Sequence, residues 1–221
     1  MPNSGPLFDV HDVWLDYRRE NGQRQTVLQG ATVTIHGGAI TCLVGSSGSG
    51  KSSLLRLLNR LEEPGRGQID FCGRALPDLD PLDLRRRVAL VPQTPTMLPG
   101  TVLDNLEAGA RLRGRRLEDP GAWLGRVGLT GDFVTKQARD LSGGEKQRVA
   151  LIRTLATQPE VLLLDEVTSS LDPDSEALVE QLLVSLNLPV VWVSHDADQV
   201  RRVAAHVLRL ENGQIREVAV Q

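Results

Sequence analysis

The chain has 221 residues, 28 acidic against 25 basic side chains, a formal net charge of -3 and 40% hydrophobic residues. That balance suits one globular domain with a packed core, excludes a disordered chain and gives no reason to expect nucleic acid as a partner. The longest apolar pieces, Val161–Leu164 and Leu188–Val193, are far short of the roughly 20 residues of a membrane span; no basic-then-apolar secretory segment opens the chain, and Cys42 and Cys72 are too few for a disulfide framework or metal cluster, so reduced cytosol is expected.

In chain order, residues 7–17 mix apolar, aromatic and polar positions and predict an edge strand, followed by a hairpin signal at Asn21-Gly22. Val27–Ile35 returns as a strand, His36-Gly37-Gly38 turns, and Ala39–Val44 is an apolar run of buried-strand type. Leu54, Leu55, Leu57, Leu58 and Leu61 recur at helical spacing, predicting a helix over Lys51–Leu61 that ends before Pro64-Gly65. Gln68–Cys72 and Val88–Pro92 read as strands, with the charge-rich segment Leu84–Arg87 between them. Over 95–158 strands fade and helical patterns appear at Thr101–Leu112 and Glu145–Thr157, which predicts an inserted helical lobe. The rest alternates: strand Val161–Leu164, helix Asp174–Leu186, strand Pro189–Val193, a short helix over Asp198–Ala205, and the strand pair Val207–Leu210 and Ile215–Val218 about Asn212-Gly213. Such alternation predicts a layered α/β fold.

Three motifs carry chemistry. Gly45-Ser46-Ser47-Gly48-Ser49-Gly50-Lys51-Ser52 fits G-x-x-x-x-G-K-[ST] between a predicted strand and a predicted helix. Its bare backbone N–H groups and helix dipole suit phosphate, Lys51 reaches the β and γ phosphates, and Ser52 can ligate Mg²⁺. Val161–Leu164 then delivers Asp165 to the end of a buried strand as a second Mg²⁺ anchor, with Glu166 next to it to orient or deprotonate an attacking water. Finally, Ser142 and Glu145 form a capping box that starts a helix, and Gly143 and Gly144 leave the backbone bare at that start, a second candidate phosphate site about ninety residues from the first.

Leu141-Ser142-Gly143-Gly144-Glu145-Lys146-Gln147 resembles the signature sequence of the ATP-binding cassette family, the nucleotide-hydrolysing subunits of ABC transporters. The resemblance covers essentially the whole chain and implies an α/β fold: a P-loop NTPase (RecA-like) core over 1–94 and 159–221, with an antiparallel β edge subdomain and an inserted helical subdomain over 95–158. It also implies roles for single residues. Gly45, Ser46, Ser47, Gly48, Ser49, Gly50, Lys51, Ser52 and Ser53 would bind ATP; Tyr17 would stack on adenine, with Trp14 or Phe8 as alternatives if the strand register differs. Gln93 matches the glutamine that links the γ-phosphate site to the helical lobe, and would join Ser52 and Asp165 around Mg²⁺. His195 matches the switch histidine, so that Glu166, His195, Gln93 and Lys51 form the catalytic set. Asp172, in Ser170-Leu171-Asp172, would act across an interface, although Asp172-Pro173 is also an ordinary helix start.

In that family the signature of one subunit closes on the ATP held by another. The resemblance therefore implies a head-to-tail dimer, a homodimer in the simplest case, with Ser142, Gly143, Gly144 and Asp172 acting in trans, ATP and Mg²⁺ as cofactors, and a separate integral membrane permease as partner. It places the chain in the cytoplasm, peripheral on the inner face of the cell membrane. Met97 and Leu98, in the segment after Gln93, suit a contact with the permease if exposed. The compact length and the run Leu162–Asp172 look like a bacterial iron-homeostasis exporter group related to plant aluminium-tolerance half transporters, which implies a metal-ion cargo; phosphate and amino-acid importers share most of these features. Two other classes stay open at this level: a nucleic-acid or ribosome clamp, which usually needs tandem cassettes or a long coiled coil, and a small-molecule kinase, which would leave Leu141–Gln147 without purpose.

Overall fold

The computed structural model describes residues 6–18 and 22–220. Its strands are β1 (Pro6–Arg18), β2 (Arg24–His36), β3 (Ile40–Val44), β4 (Arg66–Phe71), β5 (Arg74–Ala75), β6 (Val88–Val91), β7 (Val161–Asp165), β8 (Val190–Val193), β9 (His206–Glu211) and β10 (Gln214–Val218). Its α-helices are α1 (Lys51–Leu58), α2 (Pro81–Arg87), α3 (Val102–Arg111), α4 (Pro120–Gly125), α5 (Gly143–Leu155), α6 (Pro173–Ser185) and α7 (Ala197–Val203). The strands make two sheets: an antiparallel one in the order β2-β1-β4-β5 and a mixed one in the order β10-β9-β3-β8-β7-β6. In the second sheet β6, β7, β8, β3 and β9 run parallel, and β10 turns back on β9 through Asn212-Gly213, both at positive φ as a tight hairpin requires.

Side-chain alternation explains how that sheet is buried on both faces. Leu43, Leu163, Val191 and Val193 point into one core with α1 and the antiparallel sheet, while Cys42, Leu162, Leu164, Val190 and Trp192 point into another with α3, α5 and α6. Each fully buried leucine contributes roughly 2 kcal/mol from water exclusion, so the short parallel strands are fixed by packing rather than length. Burial pushes the Cys42 thiol up to about 12, which leaves it an inert core residue. No described helix is long and apolar enough to cross a membrane.

Four expectations need correction. β1 is not an edge strand: it pairs with β2 on one side and β4 on the other. The polar residues that suggested an edge, His11, Asp12 and Asp16, are exposed, while Phe8, Val10 and Val13 are fully buried in the core. α1 stops at Leu58 rather than Leu61, because Arg60 turns to φ 54° and its guanidinium bonds the carbonyls of Leu76 and Leu79, leaving Leu61 exposed. The charged stretch before β6 is a helix, α2, started by Asp80, whose carboxylate accepts from the Asp83 N–H, with Pro81 at the first position. Met97 turns inward against the core, and only Leu98 stays exposed. Asn21, half of the expected hairpin turn, lies outside the described residues; Gly22 has φ 80°.

Candidate functional site

Strand register places the candidate residues along one edge of the parallel sheet. Leu43 on β3 pairs with Val193 on β8, Val193 with Asp165 on β7, and Leu164 on β7 with Val91 on β6. The residues just beyond, Gly45, His195, Glu166 and Gln93, therefore emerge side by side at the carboxyl ends of neighbouring strands, where open α/β sheets bind ligands.

The glycine-rich loop joins β3 to α1. Gly50 starts the helix at φ 106°, and no side chain caps its free N–H groups. A Cβ at Gly50 would stand 2.5 Å from Val27 Cγ1, so the loop can pass β2 only without a side chain there. Lys51 is 5% exposed, and its Nζ donates to the carbonyls of Gly45 at 3.0 Å and Ser46 at 2.8 Å. Burial lowers the Lys51 pKa, against the pull of Glu166 and Asp165, so this ammonium is poorly solvated and short of acidic partners. Ser46, Ser47 and Gly48 are exposed, and Ser49 is half-buried.

Ser52 Oγ donates to Asp165 Oδ1 at 3.0 Å. Burial raises the Asp165 pKa, with Glu166 adding to it and the Ser52 bond opposing. A hydroxyl and a desolvated carboxylate side by side are the hard oxygen donors that suit Mg²⁺, which takes few protein ligands and completes its shell with phosphate and water. No group of three or more His, Cys, Asp or Glu among the described residues could hold a metal ion by itself. Gln93, expected as the third ligand, donates through Nε2 to Glu166 Oε2 at 2.7 Å, a bond that does not use its Oε1, the oxygen that would ligate a cation.

Glu166 is gripped from both sides. His195 Nε2 lies 2.7 Å from its other oxygen, Oε1, and its backbone sits at φ 50°, a left-handed conformation that costs a non-glycine residue roughly 1–2 kcal/mol. The backbone bond from its N–H to Val193 O, 3.2 Å, helps to hold that turn. Gln93, Glu166, His195, Lys51 and Ser52 line a cleft of about 620 Å³ with Tyr17. Tyr17 donates its hydroxyl to Ser53 Oγ at 3.0 Å and also contacts the Glu62 carboxylate. The alternatives for its place point elsewhere: Phe8 is buried against Phe71, and Trp14 donates to Asp12 with Arg66 over its ring. Gln25 and Val27 on β2 also line the cleft and were not picked out from sequence, where nothing in an alternating strand marks them.

The start of α5 is not among the residues lining this cleft. Ser142 caps the helix in a complete box: Glu145 N donates to Ser142 Oγ at 3.3 Å and Ser142 N to Glu145 Oε2 at 2.6 Å. Ser142 and Gly143 are exposed, and Gly143 has no atom within 4 Å of where a Cβ would stand. Exposed Asp172 caps α6, accepting from the Ser175 N–H at 3.0 Å; that backbone bond holds its carboxyl below the usual range. Behind them α5 is wired to both sides of Gln93: Gln147 Nε2 donates to Pro92 O at 3.2 Å, and Arg153 donates to Thr96 O and to Asn105 Oδ1.

A family model described as ABC transporter matches residues 28–169. The chain is 42% identical over 224 residues to ABC transporter I family member 17 of Arabidopsis thaliana, covering 99% of this chain and 84% of that one. It is 42% identical over 224 residues to Methionine import ATP-binding protein MetN 2 of Pseudomonas aeruginosa (strain UCBPP-PA14), covering 96% of this chain and spanning 66% of that protein's length. Among solved structures it is similar to a dimeric post-hydrolysis state of the ATP-binding cassette MJ0796 bound to ADP and Pi, with a TM-score of 0.86 at 27% identity, covering 97% of this chain and 99% of the other.

Proposed function

The chain belongs to the ABC transporter family as an ATP-hydrolysing cassette, and from that premise we propose that two copies close head to tail on two ATP molecules and drive a separate membrane permease. One observation carries this reading. The cleft holding Lys51, Glu166 and His195 has no wall from α5, while the bare, exposed helix start at Ser142–Gly143 has no ligand-facing partner in its own chain's cleft. A second copy supplies each missing half.

In the closed site Lys51 would exchange its two loop carbonyls for the β- and γ-phosphate oxygens, and Tyr17 would lie along the adenine. The N–H groups of the glycine loop and the α1 dipole would hold the remaining phosphate oxygens. Ser52 and Asp165 would hold Mg²⁺, which when bound neutralises phosphate charge. Glu166, fixed between Gln93 and His195, would take a proton from the attacking water as the bond between the β–γ bridging oxygen and the γ phosphorus breaks, releasing ADP and phosphate. Ser142, Gly143, Gly144 and Asp172 of the other copy would face that γ phosphate, so its loss would loosen the dimer. Coupling would then run from Gln93 through Pro92 and Gln147 into α5, and through Thr96 and Arg153 into α3. Exposed Leu98, 45% accessible, would meet a permease at the cytoplasmic face of the membrane. Cargo choice would belong to that permease. Equal identity to a methionine-import protein and to a plant family member supports a cassette that does not itself sort amino acids from the metal ions implied by the exporter-like run.

Two substitutions test the shared site. Glu166→Gln should lower phosphate release by about 100-fold or more and trap an ATP-bound dimer on gel filtration. Ser142→Arg should abolish both hydrolysis and that dimer while single-chain ATP binding persists. A Glu166→Gln protein that stays monomeric with ATP, or a Ser142→Arg protein that loses ATP binding as a monomer, overturns the reading.

A further inference from the structure

Behind Glu166 and His195 lies a second cavity of about 370 Å³, and these two side chains line both it and the nucleotide cleft. They form a partition, so whatever braces them from behind sets where their reacting atoms stand. Gln199 lines the rear cavity and is 2% exposed. Its Nε2 lies 2.9 Å from Thr168 Oγ1 and 3.1 Å from both Glu176 Oε1 and Glu180 Oε1. These partners sit on different parts of the site. Thr168 is two residues beyond Glu166, the glutamates project from α6, which Asp172 caps, and Gln199 is itself four residues beyond His195 on α7. One buried amide thus joins the turn that carries Glu166 to both flanking helices. Arg202, one turn further along α7, donates to Glu176 at 2.9 Å and to Glu180 at 2.7 and 3.0 Å and offsets part of their charge.

An amide nitrogen has two hydrogens and here meets three acceptors. Burial, with Glu180 beside it, raises the Glu176 pKa, whereas at Glu180 burial is outweighed by the bonds from Arg202 and Gln199, which hold its carboxyl below the ordinary value. The bonds act as a set, and loss of the amide unties all three elements at once.

We propose that Gln199, together with Thr168, is a positioning pair for ATP hydrolysis that keeps Glu166 and His195 in register across the cleft wall. This rests on the reading of Glu166 as the base. Gln199 touches no nucleotide-facing atom, so its loss should appear in kcat and not in ATP affinity. In steady-state phosphate release by the full chain, Gln199→Met and Thr168→Val should each lower kcat about tenfold with KM for ATP changed by less than about twofold. Thr168→Ser, which keeps the hydroxyl, should turn over like the parent. The Gln199→Met/Thr168→Val double variant should be no slower than the slower single, as expected for two halves of one device. If Gln199→Met does not fold, the Thr168 series decides alone. Wild-type kcat in Thr168→Val, a loss carried wholly by KM, or an equally slow Thr168→Ser overturns the proposal. Glu166→Gln in the same assay separates the two failures: full turnover there removes the base reading and this proposal with it, whereas an inactive Glu166→Gln beside a fully active Thr168→Val removes the positioning role alone.

Discussion

α1 starts at a left-handed Gly50 with no side chain over its free N–H groups, whereas α5 starts at Ser142 inside a complete capping box. Around the first, burial strains the charges: Lys51 is pushed down and Asp165 up. Around the second the charge is at ease. Burial alone would raise the Glu145 pKa, but the Ser142 N–H and Lys136 outweigh it and hold the carboxyl below its ordinary value. On the proposed reading the loop at α1 would be completed by an anion and a cation, while the start of α5 is complete as structure and would offer a ligand only its exposed end and its dipole. Such a difference fits an order of events in which nucleotide fills the first site and the second closes on it later.

The sharpest way to break this contrast is at Asp165. If its buried carboxylate is held for a cation, Asp165→Asn should lower hydrolysis by about 100-fold and yet raise the nucleotide-free melting temperature by about 2–4 °C, the shift that roughly 1 kcal/mol gives a domain of this size. A melting temperature that falls would mean the carboxylate is stabilising as it stands, and the first site would be no less finished than the second.

A glycine pair sharpens the contrast further. Gly50→Ala puts a Cβ 2.5 Å from Val27 Cγ1 at φ 106° and should reduce both ATP binding and stability. Gly143→Ala meets nothing in its own chain and replaces a glycine within a helix, so thermal stability should hold or rise by up to about 1 kcal/mol. Its hydrolysis should nonetheless fall about tenfold, because the methyl would point at whatever α5 closes upon. Unchanged hydrolysis in Gly143→Ala would leave the start of α5 a structural cap and nothing more.

The same contrast explains what could be read from the residues alone. The glycine loop, the acid at the end of β7 and the Ser142 capping box were legible because each is a local pattern whose geometry follows from a few adjacent residues. α2 was missed because Leu84 is its only buried residue, which leaves no apolar period to see, although Asp80 followed by Pro81 is a helix start in plain view. α4 hid for the same reason behind Asp119-Pro120. The depth of β1 in its sheet was not legible, since pairing to β4 across more than fifty residues leaves no mark on β1 itself. Nor was the engagement of Gln93 by Glu166, or the Gln199 network: single polar residues at ordinary spacing gain meaning only when the fold brings them together.

The smallest expected effect probes the finished site from within. Glu145 has a lowered pKa in the folded chain, so its contribution is fully present above the unfolded value of about 4.3 and is lost as pH falls through the lower folded value. Glu145→Gln should therefore melt slightly below the parent at pH 7, with the gap narrowing as the pH is taken below about 4, where the parent carboxyl also becomes neutral. Single-chain ATP binding should be the same in both at pH 7, because Glu145 completes a cap and lies outside the cleft. If the gap instead widens in acid, the carboxylate is not what holds Ser142 in place, and the ease of the second site would have to come from the Ser142 hydroxyl and Lys136 without it.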